Sequence, residues 1–373
     1  MPEIVLENVT KKFGNFVAVD NLSLVIDDRS FVTLLGPSGC GKTTTLRMIA
    51  GLETPTTGTI TIDGKTVFSA EENIDISPDK RDIGFLFQNY ALWPHMTVYK
   101  NIAFGLENMK WGKREIDKRV NDLCEMLKIE EFQHRYPSEL SGGQQQRVAI
   151  ARTLATGPKI LFMDEPLSNL DAKLRMEMRT ELKRLHIETD STFVYVTHDQ
   201  LEAMTLSTKI CLMEEGVLQQ YAPPLTVYHE PENLFVADFV GNPTMNFLSV
   251  KGLPQADGNI LLSAEGFDFR FKPNDDYTLA GEAELMLGIR PEHVSINEWG
   301  DLEGEIYSSL PSGMETIVRL KLDQLMLTSV VFGGIDFAVG QKVKVGLPSA
   351  KNILFDKSST NILTLGEIEL VRY

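Results

Sequence analysis

The stretch Phe31–Thr44 reads FVTLLGPSGCGKTT, and it decides the fold of the N-terminal part of the chain. Its first five residues form a short apolar run, which is typical of a buried parallel strand. The spacing G-x-x-x-x-G-K-T follows, in which glycines let backbone N–H groups turn towards phosphate oxygens. Lys42 brings a positive charge to the phosphates, and the Thr43 hydroxyl is a ligand for Mg²⁺. The predicted phosphate contacts are Gly36, Pro37, Ser38, Gly39, Cys40, Gly41, Lys42, Thr43 and Thr44.

A second apolar run, Ile160–Met163, ends in the two carboxylates Asp164 and Glu165. Beside bound phosphate, Asp164 would hold Mg²⁺ through water, and Glu165 would orient and deprotonate an attacking water. An apolar run that ends in Asp-Glu is a weak signal alone, because most such runs are ordinary strand ends. The phosphate-binding loop strengthens it, and we interpret the two motifs as parts of one site.

Strands and helices alternate through the first part of the chain. Two runs of alternating apolar and polar residues, Glu3–Val9 and Val17–Ile26, predict an antiparallel sheet. Further on, helix-rich stretches at Lys113–Lys128 and Gln144–Ala155 separate the apolar runs, of which the last is Thr192–Val196. Such alternation predicts the α/β class, with a parallel sheet covered by helices on both faces.

After about residue 240 the sequence changes in character. Short β-like runs replace the helical patterns, and Gly, Pro and Asp separate them at close intervals, which predicts a small β-barrel. We therefore expect two domains, residues 1–240 and 241–373, with a helical subdomain at about 89–158. The β-like runs are Glu284–Gly288, Ile317–Leu322, Met326–Phe332 and Val343–Gly346.

Composition excludes several classes of protein. The formal net charge of the 373 residues is −16, which disfavours nucleic acid as a partner. The three cysteines, Cys40, Cys124 and Cys211, are odd in number and widely spaced, which indicates a reducing compartment without a disulfide framework. No stretch approaches the roughly 18 apolar residues that a membrane helix needs. The N-terminus lacks a secretory signal pattern, so we expect a cytosolic protein that reaches a membrane only through a partner.

The segment Leu140–Gln144 reads LSGGQ and precedes a helical pattern. Alone it would be a glycine-rich turn with Ser141 as the helix N-cap. Its position shortly before the run Ile160–Met163, together with the phosphate-binding loop, resembles the signature of ABC transporter ATPases. The resemblance covers essentially the whole chain. In family order, Phe13 matches the aromatic residue that stacks on adenine, Gln88 the Q-loop, Ser168–Asp171 the D-loop, and His198 the switch histidine.

The resemblance implies a fold and a shared site. The fold would be a P-loop NTPase cassette with a RecA-like core, an antiparallel β subdomain and a helical subdomain, followed by an OB-like regulatory domain. Two cassettes would form a head-to-tail homodimer, with ATP and Mg²⁺ between the phosphate loop of one copy and Ser141–Gln144 of the other. The implied catalytic residues are Glu165, His198 and Gln88; the metal ligands are Thr43, Gln88 and Asp164; the further nucleotide contacts are Phe13, Arg135, Ser141, Gly142, Gly143, Gln144 and Asp171.

Two C-terminal patches narrow the resemblance to one branch of the family. The stretches 235–247 and 288–293 resemble the ATPase subunits of maltose-type sugar importers. This resemblance implies import of an oligosaccharide, a polyol or a glycerol-phosphate-like solute. The partners would be two transmembrane permease subunits and, indirectly, an extracytoplasmic solute-binding protein, and the chain would lie peripherally on the cytoplasmic side of the membrane. The residues after Gln88, Asn89–Thr97, would belong to a helical surface that receives a permease helix.

The sequence leaves other interpretations open. Iron, sulfate and polyamine importers share the barrel, so they are the near alternatives. A non-transport ABC ATPase of DNA repair or translation would carry a coiled coil or a second cassette, and neither is visible. A pure regulator without ATPase activity is disfavoured by the presence of both Glu165 and His198. We also expect Cys40 to be the most alkylation-sensitive cysteine, because Lys42 and the helix N-terminus favour its thiolate.

Overall fold

The computed structural model describes residues 3–264 and 266–371, so the predicted domain ends at Met1 and Tyr373 lie outside the described residues. The chain divides into two compact units, of which the first ends at Pro224 and the second begins at Leu225. In the first unit the elements are β1 (Ile4–Phe13), β2 (Phe16–Ile26), β3 (Phe31–Leu35), α1 (Lys42–Ala50), β4 (Thr57–Ile62), β5 (Lys65–Ser69), β6 (Ile74–Asp75), β7 (Ile83–Leu86), α2 (Val98–Asn108), α3 (Lys113–Leu127), α4 (Gly142–Ala155), β8 (Ile160–Asp164), α5 (Ala172–Thr189), β9 (Thr192–Val196), α6 (Gln200–Leu206), β10 (Lys209–Glu214) and β11 (Val217–Ala222).

The second unit is mostly β-structure after two short helices. Its elements are α7 (Pro224–His229, whose first residue ends the first unit), α8 (Leu234–Phe239), β12 (Asn246–Pro254), β13 (Ile260–Ala264), β14 (Phe267–Pro273), β15 (Ala283–Ile289), β16 (Ser295–Ile296), β17 (Leu302–Pro311), β18 (Glu315–Leu322), β19 (Leu325–Phe332), β20 (Lys342–Gly346), β21 (Asn352–Asp356) and β22 (Ile362–Leu370).

A six-stranded sheet forms the centre of the first unit, in the order β11-β10-β3-β9-β8-β7. All neighbouring strands from β10 to β7 are parallel, and β11 alone is antiparallel. Every residue of β3, β8 and β9 is buried. Strands buried on both faces are continuous apolar runs without polar alternation, which is why the sequence shows them in that form.

The two faces of this sheet pack against different layers. Leu161 and Met163 of β8 join a core with helices α2 to α5, whereas Ile160 and Phe162 join a core with α1 and the antiparallel strands. Successive side chains of a strand point to opposite faces, so one short run supplies both cores. The antiparallel strands form a second sheet in the order β2-β1-β4-β5-β6. The predicted α/β class is confirmed, including the antiparallel sheet at the N-terminus.

The second unit contains a closed barrel in the order β12-β13-β14-β22-β21-β15 and a five-stranded sheet in the order β16-β20-β17-β18-β19. Apolar residues from the barrel and the sheet share one core, to which Phe269, Leu287 and Val318 contribute. The predicted small barrel is therefore confirmed. Each of the four β-like runs named from the sequence corresponds to a strand, β15, β18, β19 or β20.

The second unit begins at Leu225, earlier than the expected boundary at residue 241. Helices α7 and α8 account for the difference, because both belong to the unit that contains the barrel. Ala237 shares a small core with Met245 and Phe355, and the backbone N–H of Leu234 donates to the carbonyl of Thr360 at 2.9 Å. Composition changes at about residue 240, so the expected boundary at residue 241 stays a prediction beside the division at Leu225.

The expected helical conformation of Asn89–Thr97 is wrong. These residues form turns and irregular structure, and α2 begins only at Val98, where the Thr97 hydroxyl accepts from the Lys100 N–H at 3.4 Å. Asn101 holds the segment from inside, because its side-chain amide donates to the carbonyls of Trp93 and Met96. Over the described residues, no helix is long and apolar enough to cross a membrane.

Candidate nucleotide-hydrolysis site

Four neighbouring parallel strands end at one edge of the central sheet, and each carries predicted site residues at or just past its last residue. β3 leads into the phosphate loop at 36–41, β8 ends at Asp164 before Glu165, β9 precedes His198, and β7 precedes Gln88. In open α/β sheets the carboxyl ends of the strands form the ligand crevice. The topology therefore brings together residues that lie far apart in the sequence.

Two glycines of the phosphate loop leave no room for a side chain. A Cβ on Gly36 would lie 2.2 Å from the carbonyl oxygen of Met213, and one on Gly41 would lie 2.4 Å from that of Ala18. Gly41 also has a φ of 99° and directly precedes α1. The loop therefore needs glycine for both space and backbone conformation, which explains the motif in physical terms.

The ammonium group of Lys42 lies inside the loop. Its Nζ donates to the carbonyls of Gly36 at 2.8 Å and Pro37 at 2.7 Å, and the residue is 6% exposed. The partners of this buried group are two carbonyl oxygens and the Cys40 sulfur, and among the described residues no carboxylate pairs with it. The loop is thus a cradle with a cation at its centre, at the N-terminus of a helix.

Asp164 faces α1 across the crevice. The Thr43 hydroxyl donates to its Oδ1 at 2.9 Å, and Arg47 Nη2 lies 3.4 Å from its Oδ2. A hydroxyl and a carboxylate at this spacing are hard oxygen ligands of the kind that Mg²⁺ prefers, so the donor set fits that ion. Arg47 was not predicted from the sequence, although it lies four residues after Thr43 and therefore on the same face of α1.

Glu165 lies between the Gln88 and His198 side chains. Gln88 Nε2 donates to Glu165 Oε2 at 3.4 Å, and His198 Nδ1 lies 3.5 Å from Glu165 Oε1. Glu165 has a φ of 44°, which is unusual for a residue other than glycine and turns its carboxylate out of the strand direction. Strained backbone of this kind is frequent at catalytic positions. The three predicted catalytic residues therefore meet at one point.

The signature segment lies at the start of α4. Ser141 is the N-cap, and Ser141 and Gln144 exchange hydrogen bonds in a capping box. A Cβ on Gly143 would lie 2.4 Å from a methyl carbon of Leu174, so the glycine allows α4 to approach α5. Among the described residues, no hydrogen bond joins Ser141–Gln144 to the phosphate loop of the same chain. Ser141 and Gly142 are exposed, which leaves this helix N-terminus open to an anion from outside.

The remaining predicted nucleotide contacts lie at other surfaces of the first unit. Phe13 ends β1, is 47% exposed, and has Lys11 Nζ 4.7 Å from its ring centre. Arg135 is exposed and packs its guanidinium over Phe132 at 4.9 Å. Asp171 is exposed and caps α5 by accepting from the Leu174 N–H at 3.1 Å. An exposed aromatic ring is available for stacking, whereas the side-chain contacts described above for Arg135 and Asp171 are local.

The expectation that Cys40 is the most alkylation-sensitive cysteine stays a prediction, but the reason given for it, a favoured thiolate, does not fit its surroundings. The residue is 3% exposed, and burial raises the pKa of its thiol even though Lys42 acts in the opposite direction. The sequence placed the thiol beside a cation and a helix N-terminus but could not show that the side chain points into the core. All three cysteines are buried, so rapid alkylation of Cys40 is not expected.

A buried arginine behind the loop was not predicted from the sequence either. Arg81 is 3% exposed, and its Nη1 donates to the carbonyls of Met48 and Ile49 at 2.9 Å each. These carbonyls lie in the last turn of α1, where helix carbonyls lack partners within the helix, and that of Met48 also accepts from the Gly51 N–H at 3.1 Å. Arg81 thus fixes the end of the helix whose beginning carries Lys42. No spacing rule connects the two regions, so only the folded chain reveals the contact.

Comparison with known proteins agrees with this geometry. Family models match in three regions: ABC transporter at residues 19–168, MalK OB fold domain at 241–294, and TOBE domain at 287–355. The maltose/maltodextrin import ATP-binding protein MalK of Vibrio vulnificus is 41% identical, and the match covers 95% of each chain. The chain belongs to the ATP-binding subunits of ABC importers. Members of this family are ATP-hydrolysing transport subunits, so the chain is an ABC ATPase.

Other relatives of this ABC ATPase differ in their solutes. The trehalose/maltose import ATP-binding protein MalK of Thermococcus litoralis is 43% identical over 96% of this chain and 99% of its own length. The osmoprotective compounds uptake ATP-binding protein GgtA of Synechocystis sp. is 44% identical over 86% and 91%. A dimeric post-hydrolysis structure of the ATP-binding cassette MJ0796 bound to ADP and Pi is 35% identical, with a TM-score of 0.52, over 59% of this chain and 98% of that chain.

Proposed function

We propose that this ABC ATPase hydrolyses Mg²⁺-bound ATP between two copies of the chain and thereby drives sugar import through partner membrane subunits. The observation that carries the proposal is the meeting of Glu165 with Gln88 and His198 beside the Thr43–Asp164 contact. The carboxylate, the amide and the imidazole of these three residues lie next to the proposed metal ligands and the phosphate loop. This combination suits attack of water on a terminal phosphate.

The site side chains divide the work of the proposed reaction between phosphate binding, metal binding and activation of water. The loop N–H groups and Lys42 bind the β- and γ-phosphates, and Thr43 and Asp164 hold the metal. Mg²⁺ supplies charge neutralisation at the phosphate oxygens. Glu165 accepts the proton of the attacking water, Gln88 orients the water and contacts the metal, and His198 donates to the γ-phosphate.

The second copy is proposed because one chain leaves its signature segment unused. Ser141 and its capping box present a helix N-terminus to the outside, and such an N-terminus binds phosphate oxygens readily. In a head-to-tail homodimer, Ser141–Gln144 of each copy would close the other copy's ATP site. Phe13 would stack on adenine, and Arg135 and Asp171 would reach across the dimer. The known dimeric cassette structures support this arrangement.

The relatives support the proposed membrane partners and solute class. Curated relatives with nearly full coverage are named for import of maltose, trehalose/maltose, or xylose/arabinose. We therefore propose a sugar or a related polyol as the imported solute, with two permease subunits and an extracytoplasmic binding protein as direct and indirect partners. The chain would lie peripherally on the cytoplasmic side of the membrane.

Uptake in a strain that lacks this gene tests the proposal. Labelled maltose, trehalose, xylose and arabinose form the sugar panel, and iron, sulfate and a polyamine form the control panel. The wild-type chain should restore uptake of at least one sugar or polyol and of no control solute. Glu165→Gln should restore none, because an amide cannot accept the proton of water. Restored uptake of iron, sulfate or polyamine instead would contradict the proposed solute class.

A further inference from the structure

Arg175, in the first turns of α5, contacts two loops of the proposed site at once. Its Nη2 donates to the carbonyl of Leu170 at 3.1 Å, and its Nη1 donates to Asp199 Oδ2 at 3.4 Å. Its Nε faces Glu202 Oε1 at 3.9 Å. One guanidinium therefore joins the loop that precedes α5 to the loop that precedes α6.

Both loops border Glu165. On one side, Leu170 belongs to the loop of Ser168, whose hydroxyl donates to the Glu165 carbonyl at 2.8 Å and accepts from Gln88 Nε2 at 3.4 Å. On the other side, Asp199 directly follows His198, whose ring lies 3.5 Å from the Glu165 carboxylate. Arg175 thus closes a ring of contacts around the base, although it touches none of the reacting groups.

On the α6 side of this ring, hydrogen bonds fix Glu202 and Asp199 in place. Glu202 is 3% exposed and accepts from the hydroxyls of Tyr195 at 2.8 Å and Thr197 at 2.7 Å. The Thr197 hydroxyl in turn accepts from the Asp199 N–H at 3.0 Å. Burial raises the pKa of Glu202, so the buried group depends on these donors. Arg175 therefore connects the D-loop segment, Ser168–Asp171, to a fixed support.

The shape of the guanidinium matters more than its charge. The side chains of Arg175 and Asp199 are 32% and 25% exposed, and a part-exposed ion pair contributes little stability. A planar fork, however, can hold a carbonyl and a carboxylate in two fixed directions at once, which an ammonium cannot do. Lysine at this position would keep the charge and lose the geometry.

We propose that Arg175 is a positioning residue that fixes Ser168–Asp171 and His198–Asp199 in one arrangement around Glu165. The inference rests on the proposed function, because it concerns the hydrolytic step at that site. The phosphate cradle of Lys42 and its loop uses neither of these segments. Asp171 and His198 are proposed nucleotide contacts, but neither belongs to the cradle, so loss of Arg175 should slow hydrolysis and leave nucleotide binding at the cradle close to that of the wild type.

Three full-length variants test whether Arg175 affects hydrolysis without affecting nucleotide binding. Arg175→Met removes the donors and keeps an unbranched stem, Arg175→Lys keeps the charge, and Arg179→Met changes the arginine one turn further along α5. We expect Arg175→Met to lower kcat by about tenfold or more, since small displacements of catalytic groups cost up to about 100-fold. Its affinity for a fluorescent ATP analogue and its melting temperature should match those of the wild type. Arg175→Lys should recover only a small part of kcat, and Arg179→Met should match the wild type.

A double-mutant cycle with Asp199→Asn tests whether Arg175 acts through Asp199. Asp199 also caps α6 by accepting from the Glu202 N–H at 3.1 Å, and asparagine preserves such a cap. If the two residues act as a unit, the double variant should have a kcat within about twofold of the slower single variant. Fully additive losses would overturn the proposed connection.

The outcomes separate this inference from the proposed function. A wild-type chain that hydrolyses ATP together with an Arg175→Met variant of equal kcat would overturn the inference alone. A parallel loss of nucleotide affinity or of melting temperature would also overturn it, because it would show a merely structural role. A wild-type chain that hydrolyses no ATP would overturn the proposed function. If Arg175→Met fails to fold, Arg175→Lys and Asp199→Asn still have to show a lowered kcat with unchanged affinity.

Discussion

At the scale of single residues, the site is built from side chains that already contact one another without nucleotide. Asp164 accepts from Thr43 and pairs with Arg47, and Glu165 meets Gln88 and His198. Such contacts hold the groups near their working positions and so reduce the reorganisation that binding requires. The Arg47 pair differs from the others, because a cation there occupies the carboxylate that the metal needs.

We predict that Arg47→Met lets Mg²⁺ bind more readily. Asp164 is buried but Arg47 is half-exposed, and a partly exposed ion pair contributes about 1 kcal/mol or less, so the Mg²⁺ concentration at half-maximal binding of a fluorescent ATP analogue should fall by up to about fivefold. Arg47→Lys keeps the charge and serves as the matched control, with little change expected. A midpoint that rises in Arg47→Met would show that the arginine supports the metal site instead of competing for it.

At the scale of elements, α4 and α5 approach each other at Gly143. A Cβ there would lie 2.4 Å from a Leu174 methyl carbon, whereas a Cβ on the preceding Gly142 meets its nearest atom, in Leu170, at 3.9 Å. The two glycines of the signature motif therefore serve different purposes: Gly143 allows the helices to pack closely, and Gly142 lies at an open helix N-terminus. Within one chain, only the close packing at Gly143 has a contact that explains it.

Two alanine substitutions separate these demands. Gly143→Ala should lower the free energy of unfolding by about 1–3 kcal/mol, because the added methyl group forces Leu174 to move. Gly142→Ala should change it little or raise it slightly, since alanine favours a helix and its methyl group would meet only an ordinary contact with Leu170. Denaturant unfolding of both variants measures the difference. Equal stabilities would mean that the α4–α5 contact is looser than the structure shows.

Elements with strong local patterns were predictable from the sequence, and long-range contacts were not. The buried strands Phe31–Leu35 and Thr192–Val196 occur with the predicted bounds, because a short, continuous apolar run is typical of a strand that is buried on both faces. Asn89–Thr97 was mistaken for helix because the side-chain hydrogen bonds of Asn101, which hold it as a loop, leave no pattern in its sequence. The roles of Arg81 and Arg175 depend on segments that only the fold brings together.

At the scale of the whole molecule, the chain consists of two units with separate cores. Every predicted residue of the nucleotide site lies before Pro224. Helix α8 and all residues of α7 except Pro224 belong to the second unit. Val236 and Ala237 of α8 are fully buried, and Ala237 packs with barrel residues. The position of a truncation should therefore decide how strongly the isolated first unit aggregates.

We predict that a chain of residues 1–224 folds and binds a fluorescent ATP analogue. A chain of residues 1–240 should bind it too but aggregate more, because the apolar side chains of α7 and α8 lose their partners. Light scattering at matched concentrations compares the two pieces. Less aggregation of the longer piece would favour a boundary at residue 240, as composition suggested, over the one in the structure.

The central claim is that a second copy of the chain closes each ATP site. The half-life of bound ATP on Glu165→Gln, with and without Ser141→Arg, tests it most directly. Within one chain Ser141 forms its capping box with Gln144, so its loss can affect bound ATP strongly only from another copy. We expect Glu165→Gln to retain ATP through rapid gel filtration, and Ser141→Arg to shorten the half-life by about tenfold or more, which corresponds to about 1.4 kcal/mol. Equal half-lives in the two proteins would contradict the claim.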